Sequence, residues 1–166
     1  MTGPDTIVRF ALAADEDVGI AAALQAQIER RGHVVVATHG ALNDGERDDW
    51  AWASEAAAQD VAQGRADQAV VCCWTGTGAS IAANKVAGIR AALCADAPTA
   101  SGARQWNDAN VLALSLRLTT PAVLDEILDA WFEADVSSDQ DDRANIDHVA
   151  AIEGAGERKR AGGRGS

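Results

Sequence analysis

A cysteine at the end of an apolar run stands directly before a glycine-rich turn. Residues 69–73 (Ala-Val-Val-Cys-Cys) indicate a short buried strand, and residues 74–78 (Trp-Thr-Gly-Thr-Gly) lead into a helix predicted from about Ala79. Glycines let the backbone approach a ligand closely, and unpaired amides at a helix start can hold an oxyanion and favour a thiolate. A base beside oxyanion donors is what proton abstraction next to a carbonyl requires.

The same pattern is also typical of a tight strand-to-helix turn with an inert, buried cysteine. A dinucleotide site is less favoured because the full GxGxxG fingerprint is absent, and a P-loop is excluded because the turn lacks a Gly-Lys-Ser/Thr ending. Cys72 precedes Cys73 in the strand, and strand residues alternate between faces. We therefore expect Cys72 to belong to the core and Cys73 to face a possible ligand.

Apolar runs alternate with helical patterns along the whole chain. The sequence predicts strands at 7–13, 33–37, 69–73, 91–94 and 111–114, and helices at 20–31, 50–63, from 79, 97–106 and 120–133. This alternation predicts an α/β fold, a Rossmann-like doubly wound parallel sheet of about five strands in three α/β/α layers. In such a sheet ligands bind at the carboxyl ends of the strands, which is where Cys73 and its turn lie.

Length and composition fit one domain with a sizeable core. The chain has 166 residues, of which 48% are hydrophobic, and we predict a single domain over residues 1–153. Ile146, Val149 and Ile152 have the spacing of a short amphipathic helix. The Gly- and Arg-rich residues 154–166 are predicted to be a disordered tail.

Charge and cysteine content limit the partners and the compartment. A formal net charge of −11 gives no general reason to bind nucleic acid or an acidic membrane. No window approaches about 20 apolar residues, the length of a membrane span, and the start of the sequence lacks the pattern of a secretory signal. The three cysteines are an odd number and favour no disulfide framework, so we expect a reduced, cytoplasmic protein.

The segment from Val70 to Asn84, VVCCWTGTGASIAAN, resembles a motif of one enzyme family. The type B ribose-5-phosphate isomerases and galactose-6-phosphate isomerase subunits have a strand followed by C-G-T-G-x-G-x-S-I-A-A-N-K. The similarity continues at Lys85 and over 88–94 and 107–112, and it covers residues 7–133 in order. Because several separated motifs agree, the resemblance disfavours the inert-cysteine interpretation.

The resemblance implies aldose–ketose isomerisation of a small sugar phosphate through an enediolate. The default pair is ribose 5-phosphate and ribulose 5-phosphate, in the pentose phosphate pathway, with no metal or cofactor and with a homodimer or dimer of dimers. Cys73 matches the base, assisted by Thr75, and Asp15 matches an aspartate near the substrate. The resemblance further assigns substrate contacts to Gly76, Thr77, Gly78, Ser80, Asn107, Trp50, Trp106 and Arg143.

Several of these positions depart from the family's pattern. Trp74 stands for a glycine, Glu16 for a histidine, Trp50 for a tyrosine and Trp106 for a histidine linked to opening the sugar ring. Only Arg143 remains of an arginine-rich phosphate clamp, and Arg90 or Arg104 are alternatives for that role. The departures leave two alternatives open: an isomerase of a shorter, linear sugar phosphate such as a tetrulose phosphate, or a non-catalytic sugar-phosphate-binding homologue.

Overall fold

The computed structural model describes residues 6–162, which form five strands and six helices. In chain order the elements are β1 (Arg9–Ala14), α1 (Ile20–Arg30), β2 (Val34–Gly40), α2 (Trp50–Ala62), β3 (Gln68–Cys73), α3 (Thr77–Ala83), β4 (Ala91–Leu93), α4 (Ala97–Asn107), β5 (Val111–Ser115), α5 (Pro121–Glu133) and α6 (Gln140–Gly162).

All strand pairs are parallel, in the order β2-β1-β3-β5-β4. Helices α1, α4 and α5 pack together on one face of the sheet, and α2 and α3 pack on the other. This is the three-layer α/β/α arrangement with a parallel sheet that the sequence predicts, and the prediction is confirmed. The carboxyl ends of the central strands β1, β3 and β5 meet at one edge of the sheet.

The two faces of the sheet are packed with side chains of different size. The face under α1, α4 and α5 buries large residues such as Phe10, Leu112 and Trp131. The face under α2 and α3 is filled mainly by alanines, with Val71 and Cys73 among them. Small side chains let helices approach the sheet closely, so α2 and α3 lie tightly against the strand that ends in Cys73.

The elements match the predicted ones apart from their ends and the C-terminal region. α3 begins at Thr77, two residues earlier than predicted, because Gly76 adopts the left-handed conformation that starts the helix. The amphipathic helix predicted around Ile146 extends over Gln140–Gly162. Helix therefore replaces the disorder predicted for residues 154–162, where charged residues with good helix propensity follow one another. Residues 163–166 lie outside the described part of the chain.

Among residues 6–162, the structure contains no helix that combines the length and the apolar character needed to cross a membrane.

Candidate active site

A cavity of about 320 Å³ opens where the carboxyl ends of β1 and β3 meet the start of α3. We call it the Cys73 cavity; its lining residues are Asp15, Trp50, Cys73, Trp74, Thr75, Thr77 and Gly78. All of these except Trp74 are site residues predicted from the sequence. The chain order of β1, α2, β3 and α3 thus brings residues from distant parts of the sequence to one edge of the sheet.

Cys73 is the last residue of β3, and its side chain is 5% exposed. The backbone N–H of Ala79, in the first turn of α3, donates a hydrogen bond to Cys73 Sγ at 3.4 Å. An N–H group aimed at the sulfur from a helix start favours negative charge there. The sulfur therefore lies in an environment suited to a base or a nucleophile.

The neighbouring cysteine lies on the opposite face of the sheet. Cys72 packs in the core under α1, α4 and α5, as the alternation of strand residues predicts. Burial raises the pKa of the Cys72 thiol, and the nearby Cys73 and Asp15 raise it further. Burial likewise raises the pKa of Cys94 to about 12. Both residues therefore remain neutral thiols near neutral pH.

The turn after Cys73 requires a glycine at position 76. Gly76 has φ +75°, and a Cβ built there would lie 2.5 Å from Leu93 Cδ1 and 2.9 Å from the carbonyl carbon of Leu114. The N–H of Gly76 donates to the carbonyl oxygen of Cys73 at 3.2 Å and closes the turn. The left-handed conformation and the lack of space together make any side chain at this position costly.

Residues at and just after the end of β5 form hydrogen bonds to the backbone of Cys73 and Trp74. The N–H of Leu116 donates to the Cys73 carbonyl at 3.0 Å, and the N–H of Arg117 donates to the Trp74 carbonyl at 3.0 Å. The Ser115 hydroxyl also donates to the Trp74 carbonyl, at 2.9 Å. These bonds fix the loop relative to the sheet, so Cys73 and the residues after it have a defined geometry.

Two threonine hydroxyls line the same cavity as Cys73. The hydroxyl oxygens of Thr75 and Thr77 lie 2.7 Å apart and share a hydrogen bond. The first N–H groups of α3, from Thr77 onward, have no acceptor within the helix. Ser80 lies within α3 and donates its own N–H to the Gly76 carbonyl, and it does not line the cavity. The loop thus presents hydrogen-bond donors near the Cys73 sulfur.

Asp15 lines the Cys73 cavity, and one of its carboxyl oxygens is buried. Its Oδ1 is buried and has no hydrogen-bond partner among the residues that the structure describes. Burial raises the pKa of the carboxyl group, and the charges of Glu16 and Asp48 add to this, against the lowering effect of nearby backbone N–H groups such as that of Trp74. The environment of Asp15 therefore raises the pKa of its carboxyl group above the usual value.

Two indole rings form walls of the cavity. The ring of Trp50 lies against Gly78, where a Cβ would approach Trp50 Cε3 to 2.9 Å. Trp50 is 45% exposed and Trp74 is 54% exposed, so both present an aromatic surface to an entering molecule. A glycine at position 78 is therefore needed for the Trp50 ring to take this position.

Trp106 and Asn107 lie in a different cavity. This second space, of about 310 Å³, is bounded by the end of α4, by β4 and by α6, and we call it the Trp106 cavity. Ile146 and Val149 of α6 also line it. Arg143 is exposed on α6 and lines neither cavity. Within one chain, the structure does not bring these predicted substrate contacts to Cys73.

The arginines proposed as substitutes for a phosphate clamp have other partners. Asp108 binds Arg90 at 3.0 Å and Arg104 at 3.5 Å, and the Arg104 guanidinium also donates to the carbonyl oxygen of Ala109. These contacts tie both arginines to the turn after α4. Arg90 also lines the Trp106 cavity.

Arg117 is a cation that the sequence analysis missed. It follows β5 at the same edge of the sheet as Cys73, and its backbone N–H binds the Trp74 carbonyl. Its side chain is exposed, and it makes no ion pair or hydrogen bond with any residue that the structure describes. The available signal was its position just after the carboxyl end of a predicted parallel strand.

Metal ligands are not grouped together in the described residues. Between residues 6 and 162, no group of three or more His, Cys, Asp or Glu side chains has the arrangement to hold a metal ion. His39, for instance, is held between Asp60 at 2.7 Å and Glu46 at 3.1 Å, a contact that links β2 to α2.

The chain is similar to known proteins over most of its length. A profile of the ribose/galactose isomerase family matches residues 10–149. The chain is 40% identical over 107 residues to galactose-6-phosphate isomerase subunit LacB of Clostridium acetobutylicum, covering 64% of this chain and 61% of the relative. It is 42% identical over 78 residues to D-erythrulose-4-phosphate isomerase of Pectobacterium atrosepticum, covering 47% of this chain and 51% of the relative.

A solved structure of type B ribose 5-phosphate isomerase from Trypanosoma cruzi is similar to the whole fold. The TM-score is 0.82 at 30% sequence identity, over 90% of this chain and 99% of that one. This chain covers less than two thirds of the length of each of the two sequence relatives above. The structural similarity extends over nearly the entire solved chain.

Proposed function

The chain belongs to the ribose/galactose isomerase family, and on that premise we propose that it is an aldose–ketose isomerase of a small sugar phosphate. Its default substrate pair is ribose 5-phosphate and ribulose 5-phosphate. The observation that supports this most strongly is the position of Cys73, which faces a cavity at the carboxyl end of β3 and accepts an N–H from α3. An inert core cysteine such as Cys72 has neither feature.

The proposed reaction uses the donors around the sulfur. The Cys73 thiolate removes a proton from the carbon next to the substrate carbonyl, and it returns the proton to the neighbouring carbon. Negative charge develops on oxygen in the enediolate between these steps. The unpaired N–H groups at the start of α3 and the Thr75 hydroxyl stabilise that charge, because they are fixed in place before the reaction begins.

The Cys73 cavity lacks a cation of its own among the residues that the structure describes. We propose that Arg117, unpaired and next to the loop, contributes to holding the phosphate. Asn107, Trp106 and Arg143 reach the substrate only if a second copy of the chain supplies them, because one chain places them away from Cys73. The proposed active unit is therefore a homodimer, or a dimer of dimers.

A second candidate substrate is a four-carbon, linear sugar phosphate. Aldopentose phosphates such as ribose 5-phosphate exist mostly as rings, and opening a ring needs an acid–base group. No histidine lines the Cys73 cavity in the described chain, and Trp106 stands at the position of the ring-opening histidine. Trp50 and Trp74 also narrow the cavity. Their bulk favours a short substrate, in keeping with the similarity to an erythrulose-4-phosphate isomerase.

The ratio of kcat/KM for tetrulose phosphates to that for ribose 5-phosphate separates the two candidates. A preference for ribose 5-phosphate of about tenfold or more, which is about 1.4 kcal/mol of transition-state discrimination, selects the pentose and rejects the linear substrate. A preference of that size for a tetrulose phosphate selects the four-carbon substrate.

The proposal as a whole is tested by assaying the full chain against a panel of aldose and ketose phosphates of four to six carbons. We expect saturable turnover of at least one pair in both directions. Saturable binding without turnover of any member would instead favour a non-catalytic sugar-phosphate-binding protein, and it would reject the isomerase.

A further inference from the structure

An aldose–ketose isomerisation moves two hydrogens. One moves between neighbouring carbons, and the proposed function gives that transfer to Cys73. The other moves between the two oxygens, because the carbonyl oxygen of the aldose becomes a hydroxyl and the adjacent hydroxyl becomes a carbonyl. The second transfer needs a group that can both donate and accept a proton near neutral pH. The inference below rests on the proposed function and assigns that group.

Most side chains around the cavity cannot perform this second transfer. The indoles of Trp50 and Trp74 donate a hydrogen bond but do not exchange a proton near neutral pH. The hydroxyls of Thr75 and Thr77 are engaged with each other at 2.7 Å, and as alcohols they give up a proton only with difficulty. Asp15 is the lining residue whose carboxyl group can be either acid or base.

The surroundings of Asp15 suit a carboxyl group that is neutral before the reaction. One of its oxygens, Oδ1, is buried and unpartnered, which is costly for a carboxylate but tolerable for the carbonyl oxygen of a protonated acid. The charged groups that act on it are Glu16 and Asp48, Cys72 lies near enough to be affected by Asp15, and Cys73 lines the same cavity. These include no lysine or arginine that could pair with a carboxylate.

We propose that Asp15 enters the reaction as a neutral carboxylic acid and carries the proton between the two substrate oxygens. From the aldose, Cys73 takes the C2 proton, and the C2–H electrons form the C1–C2 double bond. The C1 carbonyl electrons take the proton of Asp15 and become the O1 hydroxyl. The Asp15 carboxylate then takes the O2 proton as the C2 carbonyl forms, and the double-bond electrons recover the Cys73 proton at C1. Asp15 and Cys73 return to their starting forms.

The test compares the pH dependence of kcat/KM, from about pH 5 to about pH 9, for the wild-type chain, Asp15→Asn and Glu16→Gln. The wild type should lose activity on the alkaline side, because the neutral fraction of Asp15 falls as the pH rises. Asp15→Asn should lose at least about 100-fold at the optimum and should lack this alkaline limb. A purely structural role of Asp15 would lower activity without removing the limb.

Glu16→Gln serves as the matched control, because Glu16 is exposed and does not line the cavity. Its maximal kcat/KM should stay within about twofold of the wild type. The limb of its profile that Asp15 sets should move to lower pH, because removing a neighbouring negative charge lowers the pKa of Asp15. This variant also keeps the inference testable if Asp15→Asn fails to fold.

Two results would overturn the inference: an Asp15→Asn variant with the wild-type profile, or a Glu16→Gln variant whose pH profile does not move. If the wild type isomerises a sugar phosphate and Cys73→Ala does not, either result rejects the role of Asp15 and leaves the proposed function intact. A wild type without isomerase activity would reject both.

Discussion

Two adjacent cysteines of β3, Cys72 and Cys73, lie on opposite faces of the sheet. The alternation of side chains along β3 predicts that Cys72 belongs to the core and that Cys73 points the other way, and in the structure Cys72 lies in the core while Cys73 lines the Cys73 cavity. The unpaired oxygen of Asp15 and the free guanidinium of Arg117 could not be predicted in this way. Each depends on which partners the fold brings near, and sequence spacing does not carry that information.

The partly buried carboxyl group of Asp15 predicts a pH-dependent cost to stability. Because burial raises its pKa in the folded state, this group stabilises the fold below the pKa of an unfolded aspartate, and that contribution is lost as the pH rises through the folded-state pKa. Asn lacks this dependence. We expect the Tm of Asp15→Asn, relative to the wild type, to increase as the pH rises from acid to neutral, measured by circular dichroism. A Tm difference that is constant over this range would contradict the prediction.

At the scale of elements, alternating apolar runs and helical patterns were sufficient to predict every strand and the order in which helices connect them. The ends of the helices and strands were less predictable, because they depend on single backbone conformations such as the positive φ of Gly76. The length of α6 was missed for a different reason. A charged, glycine-containing segment has the composition of a disordered tail, yet its Glu, Lys and Arg residues also have good helix propensity.

The turn between β3 and α3 needs Gly76 for two reasons: its backbone is left-handed, and the space around it has no room for a side chain. Gly76→Ala should destabilise the protein by about 3 kcal/mol, since it combines a left-handed backbone with overpacking against Leu93 and Leu114. Gly88→Ala is the matched control: its φ is +82°, but a Cβ there has no atom within 4 Å. That variant should lose only about 1–2 kcal/mol, the backbone cost alone. Equal losses in urea denaturation would show that the space around Gly76 does not matter.

At the scale of the whole molecule, the predicted site divides into two parts. The resemblance placed Cys73, Asn107 and Trp106 at one substrate, but a single chain separates them into the Cys73 cavity and the Trp106 cavity. Sequence motifs show which residues accompany one another in a family without showing whether they come from the same copy. The proposed dimer accounts for both observations.

Shared sites predict complementation between two inactive variants. If each site uses Cys73 of one copy and Asn107 of the other, a mixed dimer of Cys73→Ala and Asn107→Ala has one complete site. Random mixing after unfolding and refolding should therefore restore about a quarter of the wild-type activity. Each variant refolded alone is the control. No gain on mixing, or an active monomer in sedimentation equilibrium, would contradict the shared site.

The central claim, that Cys73 is the base of a sugar-phosphate isomerase, is tested most directly by exchanging each of the two adjacent cysteines. The measurement is kcat/KM for Cys73→Ala, Cys73→Ser and Cys72→Ala, with the sugar phosphate that the wild type converts fastest. We expect both Cys73 variants to lose about 1,000-fold or more while remaining folded, because neither offers a thiolate near neutral pH. Cys72→Ala should stay within about threefold of the wild type, since its sulfur lies on the other face of the sheet. Full activity in Cys73→Ser, or equal losses at both cysteines, would contradict the assignment.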